Sequence, residues 1–141
     1  MKILVTGNLG YIGSVLTDIL FDKGIDFVGY DTGYFENCLL HKIEKNFNQI
    51  KKDIRDIKNN DLKDISAIIH LSALSNDPLG EFNSKITKEI NFDATINLAT
   101  LAKKNGVKRF IYISSQSMYG VADTNSELDE YESEKNPVTE Y

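Results

Sequence analysis

The chain opens with glycines at every third position, Gly7, Gly10 and Gly13, within Thr6-Gly7-Asn8-Leu9-Gly10-Tyr11-Ile12-Gly13. Glycine permits a tight turn, lets backbone come close to an anion and lets a strand and a helix pack against each other. The spacing differs slightly from the Gly-x-Gly-x-x-Gly fingerprint, but the same physics applies. An apolar run (Ile3, Leu4, Val5) precedes it and a helix-like run (Val15, Leu16, Ile19, Leu20) follows, so the turn sits where a first strand hands over to a first helix. Free N–H groups and the positive dipole end of that helix suit a pyrophosphate. A glycine turn between any strand and helix matches such spacing by chance; its position is what points to a dinucleotide.

Asp31 lies at the end of the second apolar run, eighteen positions beyond Gly13. An acidic residue at about this distance accepts hydrogen bonds from the adenosine ribose hydroxyls, and its charge repels a 2′-phosphate. Thr32, Gly33 and Tyr34 follow it with no Arg or Lys among them, which favours NAD over NADP. The other reading of Asp31 is a turn aspartate at a strand end. Asp53, after the third strand, reaches the crevice where open α/β sheets bind ligands, or else caps a loop. His70-Leu71-Ser72-Ala73 closes the fourth strand with small residues that let backbone approach a ligand, and His70 reads as a core histidine rather than a base. Ser115 follows the fifth strand, and Tyr141 is the last residue. A serine and a tyrosine hydroxyl on one substrate oxygen support proton transfer coupled to hydride transfer, once the phenol is brought below its ordinary pKa of about 10.

These side chains need a scaffold that delivers strand ends to one edge. Strand-like runs at Lys2–Thr6, Asp26–Tyr30, Gln49–Lys52, Ala67–Leu71 and Phe110–Ser114 alternate with helix-like runs at Tyr11–Lys23 and Lys85–Asn105. That alternation predicts an α/β fold, a Rossmann-type doubly wound parallel sheet left incomplete on its C-terminal side. Gly24 and Gly106 are natural helix stops. A short helix is expected near Leu39–Glu44, and a surface loop over Ala122–Glu134. The 85–105 helix carries two apolar stripes. Ile86, Ile90, Ala94, Leu98 and Leu101 suit the sheet; Phe92, Ile96 and Ala99 require either another part of the chain or a partner subunit.

At 141 residues and 41% hydrophobic content the chain is one domain. A net charge of −5 gives no support to nucleic-acid or anionic-membrane binding. A lone Cys38 forms no internal disulfide, no Cys/His cluster has zinc spacing, and no signal-like or membrane-spanning run is visible. A reducing, cytoplasmic setting without a metal is expected.

Taken in order along the chain, Thr6-Gly7-x-x-Gly10-x-x-Gly13, Asp31, Asp53-Ile54-Arg55-Asp56, His70-Leu71-Ser72-Ala73, Asn91, Val107-Lys108-Arg109-Phe110, Ser114-Ser115 with Tyr119-Gly120, and Pro137-Val138-Thr139-Glu140-Tyr141 resemble the N-terminal part of an extended short-chain dehydrogenase/reductase of the NAD-dependent epimerase/dehydratase group. The resemblance implies pyrophosphate contacts from Gly7, Asn8, Leu9, Gly10, Tyr11, Ile12 and Gly13. It implies ribose contacts from Asp31, adenine contacts from Asp53 and Ile54, and a cofactor path lined by Leu71, Ser72, Ala73, Asn91 and Ile113. Ser115 aligns with the catalytic hydroxyl and Tyr141 with the first residue of a Tyr-x-x-x-Lys motif, so the motif's lysine and a C-terminal substrate domain lie outside residues 1–141. A nucleotide-sugar substrate and a homodimer through the 85–105 helix are further implications. Members that dehydrate sugars carry Asp-Glu after the catalytic hydroxyl; Gln116 and Ser117 stand here, which favours an epimerase, reductase or dehydrogenase. The expected activity is reversible hydride transfer at a sugar hydroxyl carbon, absent from the 141 residues alone. The alternative is an NAD-binding sensor or scaffold without turnover.

Overall fold

Short runs rich in Ile, Val and Leu fold into parallel strands because both of their faces are covered. The computed structural model describes residues 1–38, 46–121, 127–131 and 133–139. Its strands are β1 (Ile3–Thr6), β2 (Phe27–Asp31), β3 (Asn48–Lys51), β4 (Ala67–His70) and β5 (Arg109–Tyr112), in the order β3-β2-β1-β4-β5. All four pairings are parallel. In register, Thr6 stands opposite Tyr30 on one side and His70 on the other, so the functional strand ends come out level. β5 stops at Tyr112, short of the expected Ser114, although the Ile113 N–H still donates to the His70 carbonyl at 3.2 Å.

Alternation along each strand sends residues to two cores. Leu4, Val28, Tyr30 and Ile68 face one cluster with Ile54, Ile57, Leu62, Ala94 and Leu98. Ile3, Val5, Phe27 and Ala67 face the other with Leu20. β5 has a neighbour on one side alone among the described residues, and Ile111 and Ile113 are each 43% exposed there.

Helix α1 (Tyr11–Asp22) stops before Gly24, as expected. The single helix expected over Lys85–Asn105 is instead three pieces: α3 (Ser84–Lys88), a π-helical turn (Glu89–Asp93) and α4 (Ala94–Lys104). Ahead of them lies α2 (Asp77–Phe82), with Pro78 in its first turn, where a missing N–H costs nothing. The core stripe is corrected at its start. Thr87, not Ile86, takes the buried position, and its hydroxyl donates to the Gly80 carbonyl at 2.9 Å, tying α3 to α2. Ala94 and Leu98 are buried as expected. Phe92 is 57% and Ile96 53% exposed, so no described part of the chain covers them. The helix expected at Leu39–Glu44 lies outside the described residues. The described part of the 122–134 segment carries neither helix nor strand.

Candidate active site

The loops after all five strands open on the carboxyl edge of the sheet. The strand order reverses between β1 and β4, and there the crevice of an open α/β sheet receives its ligand. The two sides of that crevice touch through backbone. Gly7, at φ +71°, lies so close to the chain after β4 that a Cβ would stand 2.7 Å from the Leu71 carbonyl carbon and the Ser72 nitrogen. Gly13 is equally constrained, since a Cβ there would fall on the Gly7 carbonyl oxygen. Gly10 differs. Within 4 Å a Cβ would meet the Gly7 oxygen, at 3.2 Å, and nothing else, so this glycine leaves its outer face bare. It is also the N-cap of α1, with no side-chain cap and no acid in the first turn. The first N–H groups of the helix are therefore presented beside an open glycine surface, the arrangement an anionic pyrophosphate needs.

Beneath the turn, Asn8 is fully buried and exchanges two amide hydrogen bonds with Gln49 of β3, at 2.7 and 3.2 Å. Gly29 in β2 makes room for them: a Cβ there would sit 2.5 Å from the Asn8 amide nitrogen. The Asp31 carboxylate accepts from the Leu9 N–H at 3.1 Å and from the Gly33 N–H at 2.8 Å. One bond on each oxygen fixes its orientation and leaves lone pairs for a diol. Across the β2–β3 ladder Asp31 faces Lys51, whose ammonium pairs with Glu36 at 2.6 Å. That cation was invisible in the stretch after Asp31, because it arrives from the neighbouring strand.

Asp53 caps the 3-10 turn Ile54–Asp56, and Arg55 grips it with three bonds. The Arg55 backbone N–H (2.9 Å) and Nε (3.0 Å) reach Oδ1, and Nη2 (2.7 Å) reaches Oδ2. These bonds hold the Asp53 carboxyl below the ordinary carboxylate range. The Tyr30 hydroxyl donates to the Asp53 carbonyl at 3.2 Å from below. Burial, and then the charges of Asp61, Asp56 and Asp53, push its phenol up and keep it neutral. The Ile54 side chain lies in the core, so its backbone is what it can offer a ligand.

His70 is 1% exposed, and burial pushes it down to about 4. Its tautomer follows from its neighbours. The Thr95 hydroxyl donates its one hydrogen to the Asn91 carbonyl at 2.7 Å, so it accepts from His70 Nε2 at 2.8 Å. Nδ1 is then an acceptor, and Thr6 donates to it at 2.6 Å. The Thr6 oxygen in turn receives the Leu71 and Ser72 N–H groups at 3.3 and 3.4 Å. His70 is thus the satisfied core histidine that its apolar strand implied. Asn91, on the π turn, exchanges two bonds with the Leu74 backbone, at 2.8 and 3.1 Å, and so steadies the loop after β4.

Ser115 caps the 3-10 turn Gln116–Tyr119, accepting the Ser117 N–H at 3.1 Å. It stands one strand outward from Leu71–Ala73, and Ile113 lies between it and β5. Gly7 through Gly13, Asp31, Asp53, Ile54, Leu71, Ser72, Ala73, Ile113 and Ser115 therefore line one edge, while Asn91 stands behind the β4 loop. Tyr141 lies outside the described residues. The roles of Gln49, Lys51, Glu89 and Thr95 escaped the sequence reading, because their partners come from distant parts of the chain; the Arg55 grip on Asp53 is local, but its anchor on Glu89 is not.

A parallel sheet with a glycine cradle at its reversal point, and an acid ending the second strand, defines a Rossmann-type dinucleotide-binding protein. The chain belongs to the NAD dependent epimerase/dehydratase family, whose model matches residues 3–141. It is 30% identical over 141 residues to UDP-glucuronic acid decarboxylase 4 of Arabidopsis thaliana, covering 98% of this chain and 31% of that protein. It is 33% identical over 135 residues to a UDP-glucose 4-epimerase of Schizosaccharomyces pombe, covering 84% and 36%. Among solved structures it resembles the UDP-N-acetylglucosamine 4-epimerase of Methanobrevibacter ruminantium M1 in complex with UDP-N-acetylmuramic acid (TM-score 0.84, 32% identity, 99% of this chain and 45% of that one). It also resembles MoeE5 in complex with UDP-glucose and NAD (TM-score 0.83, 28% identity, 100% and 44%). The chain thus spans about a third of the length of the curated relatives it matches.

Proposed function

We propose that these residues form the NAD-binding unit of a sugar-nucleotide epimerase or a related oxidoreductase. The observation that carries this reading is the backbone cradle: Gly7 pressed onto Leu71–Ser72, Gly10 bare on its outer face, and Asp31 bonded to Leu9 beside it. When bound, NAD supplies a hydride acceptor and donor for a sugar hydroxyl carbon. The amides of Gly7, Leu9 and Gly10 already bond Tyr30, Asp31 and Gly7, so the first helical amides, of Tyr11, Ile12 and Gly13, hold the pyrophosphate beside the bare face of Gly10. Asp31 accepts from the adenosine ribose hydroxyls. Asp53 and the Ile54 N–H meet the adenine edge, while the Leu71–Ala73 backbone and Ile113 border the path toward the sugar. Asn91 acts on that path through the Leu74 backbone. Ser115 hydrogen-bonds the sugar oxygen and Tyr141 takes its proton.

The substrate is a nucleotide sugar, held by a domain corresponding to the length of the relatives beyond the matched part. The exposed Phe92 and Ile96 face meets a second copy of the chain. Titration calorimetry with NAD and NADP tests the cradle, and incubation with UDP-glucose, followed through the absorbance of reduced nicotinamide, tests the chemistry. NAD binding several-fold tighter than NADP is expected. Residues 1–141 alone are expected to show no turnover, because a phenol needs a neighbouring cation to come down from about 10. Failure to bind NAD would overturn the proposal, and turnover by these residues alone would overturn the assignment of the base.

A further inference from the structure

Asp53 is the one proposed cofactor contact whose carboxylate is already gripped by a cation. An ionised carboxylate offers about four lone-pair positions. Arg55 occupies both positions on Oδ1, through its backbone N–H and Nε, and one on Oδ2, through Nη2. One acceptor position remains, on Oδ2. The guanidinium is itself held from the far side, since Nη1 donates to Glu89 at 3.3 Å at the start of the π turn. The fork therefore cannot swing without breaking contacts with two segments, and the Tyr30 hydroxyl pins the Asp53 carbonyl below it.

We propose that Arg55 is a positioning residue for base recognition: by consuming three acceptor positions of Asp53 it leaves one, on Oδ2, that accepts a hydrogen from the 6-amino group of adenine. This rests on the reading that Asp53 meets adenine, and it adds the reason why the site selects an amino-bearing base. A site built around a fixed acceptor rejects a ligand that presents an acceptor in the donor's place. Lysine replaces Arg55 only in part, because a single ammonium makes no planar two-bond fork.

The test compares NAD with nicotinamide hypoxanthine dinucleotide, in which a carbonyl oxygen replaces the 6-amino group, by calorimetric titration of the wild-type chain and of Arg55→Gln and Arg55→Lys. The ratio of the two affinities is the readout, because it is insensitive to any uniform loss of folded protein. The wild type is expected to favour NAD by roughly tenfold or more, a charge-assisted hydrogen bond's worth. Arg55→Gln is expected to bring that ratio down at least threefold, with Arg55→Lys between the two. A wild-type preference that both variants retain in full overturns the role of Arg55 while leaving the Asp53–adenine reading intact. A wild-type ratio near one, with NAD still binding, overturns that reading and the proposal with it. If Arg55→Gln fails to fold, Arg55→Lys decides by the same ratio.

Discussion

Lowering the pH from 7 to 5 should weaken the fold by about 2 kcal/mol through His70 alone. The ring is neutral in the folded chain because burial holds it down to about 4, against an ordinary 6.5 once unfolded. Between these values the unfolded chain binds a proton that the folded chain refuses, so stability is complete above about 6.5 and drains away as pH falls toward 4. Each tenfold difference in proton affinity corresponds to about 1.4 kcal/mol, which gives a total near 3 kcal/mol, about 2 of it lost by pH 5. The network explains why the proton is refused. Thr95 spends its hydrogen on the Asn91 carbonyl, and Thr6 spends its own on Nδ1, so a second ring N–H would confront a donor with no acceptor free. Asp53 lies outside this window. Its carboxyl is held below the ordinary range, so its contribution is present above about 4 and disappears only in stronger acid. Urea denaturation at several pH values between 7 and 5 reads the slope, with His70→Gln as the non-titrating comparison. A long-range proton–nitrogen NMR spectrum reads the Nε2–H tautomer. A flat profile in the wild type, or the same slope in His70→Gln, would refute the reasoning.

Gly13→Ala should abolish NAD binding in calorimetry and lower the midpoint of thermal unfolding, because its methyl falls on the Gly7 carbonyl oxygen and backbone must shift by a cost of about 1–3 kcal/mol. Glu36→Gln releases Lys51 opposite Asp31, and Asp31→Ala removes the repelling charge; each should narrow the NAD over NADP preference, the double variant most, measured by parallel titrations. Phe92→Asp with Ile96→Asp should convert a self-associating chain to a monomer in sedimentation velocity without changing its circular dichroism, since both side chains are more than half exposed in the single chain.

Much of this was legible in the residues because burial on both faces writes strands as continuous apolar runs. Ile3-Leu4-Val5 and Ala67-Ile68-Ile69 could be little else. The glycine turn was readable for the same local reason, and so was His70, a polar residue enclosed by apolar ones. β3 was harder: Asn48-Gln49-Ile50-Lys51 has one strong apolar residue, and its place follows from pairing with β2. The π turn left no sequence mark. Its apolar residues fit an ordinary helix, and what distinguishes it is the pair of bonds from Asn91 to Leu74, seventeen positions earlier. The Arg55 fork is local enough to have been noticed in Asp53-Ile54-Arg55. Its anchor at Glu89 was not, because thirty-four positions separate the two residues.

The strand order also carries a schedule. β2 pairs with β1, β3 with β2, β4 with β1 and β5 with β4, so each strand finds its partner already made as the chain emerges from the ribosome. The sheet grows outward from β1 in both directions, and every strand after β1 meets a neighbour that has already been synthesised. The longest delay falls on the second edge of β1, which stays open from Ile3 until Ala67 arrives, and in that interval the Gly7 turn has no Leu71–Ser72 backbone to rest against. The dinucleotide cradle is therefore completed only with β4, when the crevice closes around a turn that was among the first residues made.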